Sequence, residues 1–181
     1  IKLMHSGFRG GGVGPVALKR RRASDWWQVA GQTCVAAYQP IGAASLAASY
    51  VNLANPGTYD AAPGVAPTLV AGGWSFAAAS SQYLTTKYNY LHPGTIIVRF
   101  SGAALTAIAR IFGINVDNLS LNPNNVSGVA WTLGGTLTYR NPPLAAGILA
   151  IAGNQPYRNG AVDGLPISGS MTTGNVIIGM R

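Results

Sequence analysis

From residue 26 onward the chain is a succession of short apolar runs, rich in Val, Ile, Thr and Tyr, each closed by a cluster of turn-forming residues. Runs of this length suit strands and are too short for helices that stand alone. Candidate strands fall at 33–39, 73–76, 82–85, 95–101, 107–114, 128–133, 136–140, 148–152, 156–158, 161–162 and 175–179. A spacing of about 8–14 residues between such runs argues for an all-β sandwich or barrel. The run at 95–101 shows the period-2 pattern: Ile96, Val98 and Phe100 share one face, and Arg99 lies on the other.

Turn chemistry supports the same reading. Asn159-Gly160, between Tyr157-Arg158 and Ala161-Val162, favours a type I′ hairpin because both turn residues need positive φ. Asp163-Gly164 marks a further turn. One stretch reads as helix, 42–49, with alanines as good helix formers. A helix of about two turns is stable only when packed on something larger. Two stretches read as long loops: 52–67, with three prolines, and 115–127, with Asn115, Asn118, Asn122, Asn124 and Asn125. Long ordered loops often carry binding surfaces.

The charge balance limits the chemistry. The 181 residues contain no glutamate and four aspartates, Asp25, Asp60, Asp117 and Asp163, against twelve Lys and Arg, for a formal charge of +8. Neighbouring aspartates are at least 35 residues apart in sequence. Glycosidases and hard-metal sites are built from clustered carboxylates; here only the fold could bring two together, and a turn-capping role is the plainer expectation for each. No Gly-x-Ser-x-Gly elbow is present, so a serine hydrolase is not supported. With the single cysteine, Cys34, neither an intramolecular disulfide nor a Cys-based zinc site can form. His5 and His92 are far apart, and no metal or other cofactor is expected. The expectation is a protein that binds or builds, not an enzyme.

Charged residues make up 9% of the chain, where roughly 25% is usual for a soluble domain. Apolar residues reach 48% and the mean hydropathy is +0.23. Gly, Ala, Ser, Thr and Asn fill the deficit and make a neutral, hydrogen-bonding surface. That surface fits an extracellular, virion or assembled setting; an Ala- and Gly-biased genome would produce a similar composition. No uninterrupted apolar window of about 18–20 residues exists, so no membrane-spanning helix is expected.

Residues 1–25 differ from the rest. A Gly-rich stretch, 7–15, leads to Lys19, Arg20, Arg21 and Arg22, and with Lys2 and Arg9 six of the twelve cationic side chains fall here. This reads as a basic N-terminal arm. It would meet nucleic acid or an acidic neighbouring subunit by charge neutralisation, or lie in solvent. No aromatic residues interleave with the basic run, so base stacking is not suggested.

From Trp26 to Gly179 the order of motifs resembles a known family. The series is Trp26-Trp27; Val35-Ala36-Ala37-Tyr38-Gln39-Pro40; Gly42-Ala43, then Ser49-Tyr50-Val51-Asn52-Leu53-Ala54-Asn55-Pro56-Gly57; Tyr59-Asp60-Ala61; Gly73-Trp74-Ser75-Phe76; Gln82-Tyr83-Leu84-Thr85-Thr86; and Ile97-Val98-Arg99-Phe100. Tyr157-Arg158-Asn159-Gly160 and Val176-Ile177-Ile178-Gly179 continue it. This is similar to the concanavalin A-like, or laminin-G-like (LamG), jelly-roll domains of phage and environmental sequences. The resemblance implies two antiparallel sheets packed face to face over residues 26–181, and a glycan or polysaccharide bound on the concave side or rim loops. It also implies a closing strand after the Ile-Gly strand. None follows Arg181 in this sequence, so an open sheet edge, or a strand supplied by another chain, is expected. Calcium-binding members place Asp and Asn at a rim; calcium takes 6–8 oxygens and favours charge, which this chain supplies sparingly. Hydrolases of the group place acidic residues two and four positions apart on one strand, a spacing absent here.

Three functions are thus in view. A non-catalytic carbohydrate-binding or adhesive module would use Asn118, Asn122, Asn124 and Asn125 for hydrogen bonds and Trp131 and Tyr139 as flat stacking faces. Trp131 fits the core equally well, while Trp74, Phe76 and Phe100 read as core. Tyr88 and Tyr90, in a polar stretch, read as exposed. A structural subunit of a virion, fibre or other homo-oligomeric assembly would use its own surface and the arm. A carbohydrate-active enzyme is the least supported of the three.

Overall fold

The structure, a computed structural model, describes residues 1–5, 26–77, 80–91, 93–103, 110–114, 119–125, 128–169 and 173–179. Its strands are β1 (Lys2–His5), β2 (Thr33–Ala37), β3 (Ala62–Val65), β4 (Thr68–Val70), β5 (Gly73–Ser75), β6 (Tyr83–Asn89), β7 (Gly94–Phe100), β8 (Phe112–Ile114), β9 (Leu119–Asn122), β10 (Val129–Leu133), β11 (Thr136–Arg140), β12 (Gly147–Ala152), β13 (Gln155–Arg158), β14 (Ala161–Val162) and β15 (Asn175–Gly179). One short helix, α1 (Leu46–Ser49), interrupts them. The protein is all-β, and every ladder among the described strands is antiparallel.

A six-stranded sheet runs β14-β13-β12-β7-β1-β2, a seven-stranded sheet runs β11-β10-β9-β8-β15-β6-β3, and β4 pairs with β5 alone. One core joins the two large sheets. The first contributes Leu3, Ala36, Ile96, Val98, Leu149 and Ile151, and the second Leu84, Phe112, Ile114, Leu121, Trp131, Leu133, Val176 and Ile178. These residues alternate along their strands, so each sheet turns one face to the other. Ile96 and Val98 are buried while Arg99 is exposed, as the alternation in this strand requires.

Turn chemistry is seen at two hairpins. Arg158 pairs with Ala161 around Asn159 (φ 50°) and Gly160 (φ 86°), the two positive angles the dipeptide predicts. Leu133 pairs with Thr136 around Gly134 (φ 57°) and Gly135 (φ 78°).

The helix is shorter than the predicted 42–49. Ser45 caps it, its Oγ accepting from Ala48 N at 3.1 Å, so regular helix starts only at Leu46. Trp74 on β5 donates through Nε1 to Ser49 Oγ at 2.7 Å, which ties the β4–β5 hairpin to the helix. The Trp74 ring also packs against Tyr38, Tyr50 and Phe76.

The loop after α1 is organised by Asn52, which is fully buried. Its Oδ1 accepts from Ala37 N (2.9 Å) and Ala54 N (3.1 Å), and its Nδ2 donates to Val35 O (3.0 Å) and Thr58 O (2.8 Å). Asp60 closes the loop by accepting from Asn52 N at 2.8 Å and Gly57 N at 3.2 Å.

Four segments depart from the sequence reading. Lys2–His5, assigned to the arm, is a strand between β7 and β2, with Leu3 in the core. The Pro-rich stretch 52–67 contributes β3, and Thr68–Val70 forms β4. The Asn-rich stretch contains β9. The strand at 175–179, expected beside an open edge, is flanked by β8 and β6 and has a partner on both sides. Lys19, Arg20, Arg21 and Arg22 lie outside the described residues.

Candidate functional site

Strand alternation sorts the residues singled out for ligand binding. On β9, Leu119 and Leu121 enter the core, so Ser120 and Asn122 lie on the outward face of the seven-stranded sheet. On β10, Val129, Trp131 and Leu133 point inward, and Ala130 and Thr132 outward. Registration then gives one cross-strand row, Asn122–Ala130–Tyr139, and beside it a second, Ser120–Thr132–Leu137. Asn122 and Tyr139 are thus brought together on one face, two strand spacings apart, or roughly 10 Å.

The polar groups of this face bond to each other. Asn122 Nδ2 donates to Ser120 Oγ at 3.2 Å, and Ser120 Oγ donates to Thr132 Oγ1 at 3.0 Å. Asn122 is only 2% exposed, and among the described residues its Oδ1 has no hydrogen-bond partner. Tyr139 is 43% exposed. The centre of the face is made of small residues and is covered: Gly113 is buried, Ala130 is 0% exposed and Ser120 2%. Gly113 lies in the Ser120 row, and a Cβ there would come within 3.4 Å of the Arg110 side chain, which therefore crosses this part of the sheet. Arg110 is itself partnered.

Trp131 does not join the site. It occupies the opposite face of β10 and is fully buried, so neither side of its ring is open to a ligand. Its Nε1 donates to Asp163 Oδ2 at 3.1 Å. The same oxygen accepts from Arg158 Nη2 (3.1 Å) and Nε (3.3 Å), and Arg158 Nη1 donates to Pro142 O at 2.8 Å. Tyr88 and Tyr90, expected at the surface, are 7% and 2% exposed. They occupy inward positions at the end of β6, where Tyr90 Oη donates to Gly94 O at 2.9 Å. Asn124 is buried and partnered. Asn125 is half-buried and donates through its backbone N to Gly128 O at 2.8 Å, which closes the turn into β10. Asn118 lies outside the described residues.

Ser120 and Thr132 were not singled out from the sequence. The alternation Leu119-Ser120-Leu121-Asn122 held the signal, since it puts two polar groups on one face of a strand.

Of the carboxylates, the structure describes Asp60 and Asp163, and both are engaged in the bonds given above. Among the described residues no group of three or more His, Cys, Asp and Glu is placed to hold a metal ion. No helix among them is long and apolar enough to cross a membrane. Comparison with protein-family models, curated proteins and solved structures finds no match to this chain.

Proposed function

We propose that this protein is a non-catalytic carbohydrate-binding or adhesive module of the concanavalin A-like jelly-roll type, extracellular or virion-associated. The observation that supports the reading is the outward face of the seven-stranded sheet, where Asn122, Ser120 and Thr132 form a hydrogen-bonded polar cluster and Tyr139, two strands from Asn122 on the edge strand β11, leaves its ring exposed. Sugars are held by this combination: hydroxyls bond to amide and hydroxyl groups, and the C–H face of the ring lies on an aromatic. The non-catalytic part is supported by Asp60 and Asp163, whose carboxylates are spent on a loop and on an ion pair. The test is retention of the purified chain on an array of immobilised polysaccharides. Binding to at least one is expected; binding to none overturns the reading.

A second reading, a structural subunit of a virion, fibre or other self-assembling polymer, is favoured by a different observation. Ile148 and Val162, on the six-stranded sheet, and Leu165 just beyond β14 are large apolar side chains left in the open; Val162 is 62% and Leu165 79% exposed. In that reading Lys19, Arg20, Arg21 and Arg22 contact a neighbouring subunit or nucleic acid. Mass photometry across a concentration series decides it: discrete oligomers or polymers support assembly, and a clean monomer at all concentrations rejects it.

A further inference from the structure

We infer that β11 pairs edge to edge with β11 of a second copy of this chain, antiparallel and about a two-fold axis at Thr138, so that two seven-stranded sheets join into one. This interface rests on the assembly reading and gives it a place on the molecule.

The two large sheets end in four edge strands, β14, β2, β11 and β3. An open edge offers unpaired N–H and C=O groups to any strand that comes near, and proteins close or interrupt their edges to prevent it. Three of the four are closed or interrupted. β2 is capped from the side by Asn52, which takes Ala37 N and Val35 O, while Leu53 N donates to Ala37 O at 2.8 Å. β3 contains Pro63, which has no N–H, and its register slips between Pro63 and Val65. β14 is two residues long. β11 has none of these devices. It is five residues long, holds no proline and keeps register with β10 throughout.

The hairpin decides which groups of β11 are free. The pair that closes its two-residue turn, Leu133 and Thr136, exchanges hydrogen bonds, and bonded and non-bonded pairs alternate from there. Thr136, Thr138 and Arg140 therefore turn their backbone groups to β10, and Leu137 and Tyr139 turn theirs away from the sheet. Among the described residues, Leu137 N, Leu137 O and Tyr139 N meet no backbone partner on that side. Tyr139 O accepts from Arg140 Nη1 at 3.1 Å and keeps a second lone pair.

A second copy satisfies all of these groups in a single register. With Thr138 on the axis, Leu137 of each copy lies opposite Tyr139 of the other, and each such pair exchanges both backbone bonds. An axis at Leu137 would put Tyr139 opposite Gly135, in the turn, and an axis at Tyr139 would put Leu137 opposite Asn141, past the end of the strand. The side chains suit the same register. Leu137 and Tyr139, each 43% exposed, meet across the junction on the outward face. Charge suits it as well. Arg140, the one charged residue of β11, falls opposite uncharged Thr136. The two Arg140 positions then stand roughly 14 Å apart along the strands, beyond the screening length at physiological salt.

Sedimentation velocity over a concentration series tests the interface on the full chain. Wild type is compared with Leu137→Pro, Leu137→Lys and a double variant, Val162→Ser with Leu165→Ser. Thermal unfolding is recorded for each. Leu137→Pro deletes one outward N–H and no bond to β10. Leu137→Lys leaves the backbone intact and places a charge at an exposed position, so it decides the matter if the proline variant does not fold. The expected result is a wild-type dimer that dissociates at least about tenfold more readily in both Leu137 variants and is unchanged in the double variant. Oligomers that keep full strength in Leu137→Lys, or that are lost only with Val162 and Leu165, overturn the inference and leave the assembly reading standing. A monomer at every concentration overturns both, and leaves the edge to a strand of another protein.

Discussion

Trp131 and Asp163, on opposite layers of the sandwich and 32 residues apart in sequence, are joined by a hydrogen bond of 3.1 Å from the indole nitrogen to one carboxylate oxygen. That oxygen also holds Arg158 of β13. Arg158 in turn donates to Arg140 O at 3.0 Å, and Arg140 Nε donates to Asp163 O at 3.2 Å. The end of the seven-stranded sheet is thereby tied to the β13–β14 hairpin of the six-stranded sheet through polar groups. Sheet-on-sheet packing is otherwise apolar and non-directional. A tie of this kind fixes how one layer sits on the other.

Asp163→Ala strips Trp131 and Arg158 of their shared acceptor. The ion pair is partly buried, each side chain being 15% exposed, so the loss should be about 2–3 kcal/mol, less than for a fully buried pair. Asp163→Asn keeps an acceptor oxygen and should cost about half as much. Urea denaturation of both variants checks the order. Equal stability of Asp163→Ala and wild type would remove the tie as a stabilising element.

Trp131→Phe separates packing from hydrogen bonding. It keeps most of the buried ring and deletes the N–H, so about 1–2 kcal/mol of stability should go. Polysaccharide retention should be unaffected, because the ring faces the core. A Trp131→Phe protein that is stable but no longer retained would return Trp131 to the ligand site.

Asn52→Ala leaves two backbone N–H groups and two carbonyls around β2 and the following loop without their side-chain partner. A loss of about 3 kcal/mol is expected. Amide exchange should quicken first at Ala37 and Ala54, the two donors that Asn52 Oδ1 receives.

Alkaline pH should weaken the fold from within. Burial pushes the Tyr90 phenol up to about 12 from an ordinary value of 10.0, and burial raises Tyr38 further still. The folded state therefore keeps these protons where the unfolded chain gives them up. Their contribution is complete below pH 10 and is lost as pH rises towards 12. Tyr90 alone should account for about 2 kcal/mol by roughly pH 11.5. Urea midpoints from pH 9 to 11.5 measure the slope, and Tyr90→Phe should flatten it.

The strands that were legible are those whose neighbours along the chain carry the information. Gly94–Phe100 alternates buried and open side chains, and Asn159-Gly160 demands its own hairpin whatever the rest of the chain does. Leu119–Asn122 reads as loop from sequence because four nearby asparagines outweigh two leucines. Lys2–His5 was hidden by the basic, Gly-rich sequence that follows it. Trp131 shares parity with Val129 and Leu133, and that parity, not its residue type, places it in the core.

Residue order alone was enough for an all-β chain with a short helix, for its hairpin at Asn159-Gly160, and for a surface poor in carboxylates. It was not enough to insert β1 between β7 and β2, to set Asn122 in line with Tyr139, or to give Trp131 a partner in Asp163. The first group follows from torsional preference and from periodicity within a few residues. The second depends on which distant strands lie side by side, and that is settled by the burial of a whole core, a quantity no local window contains.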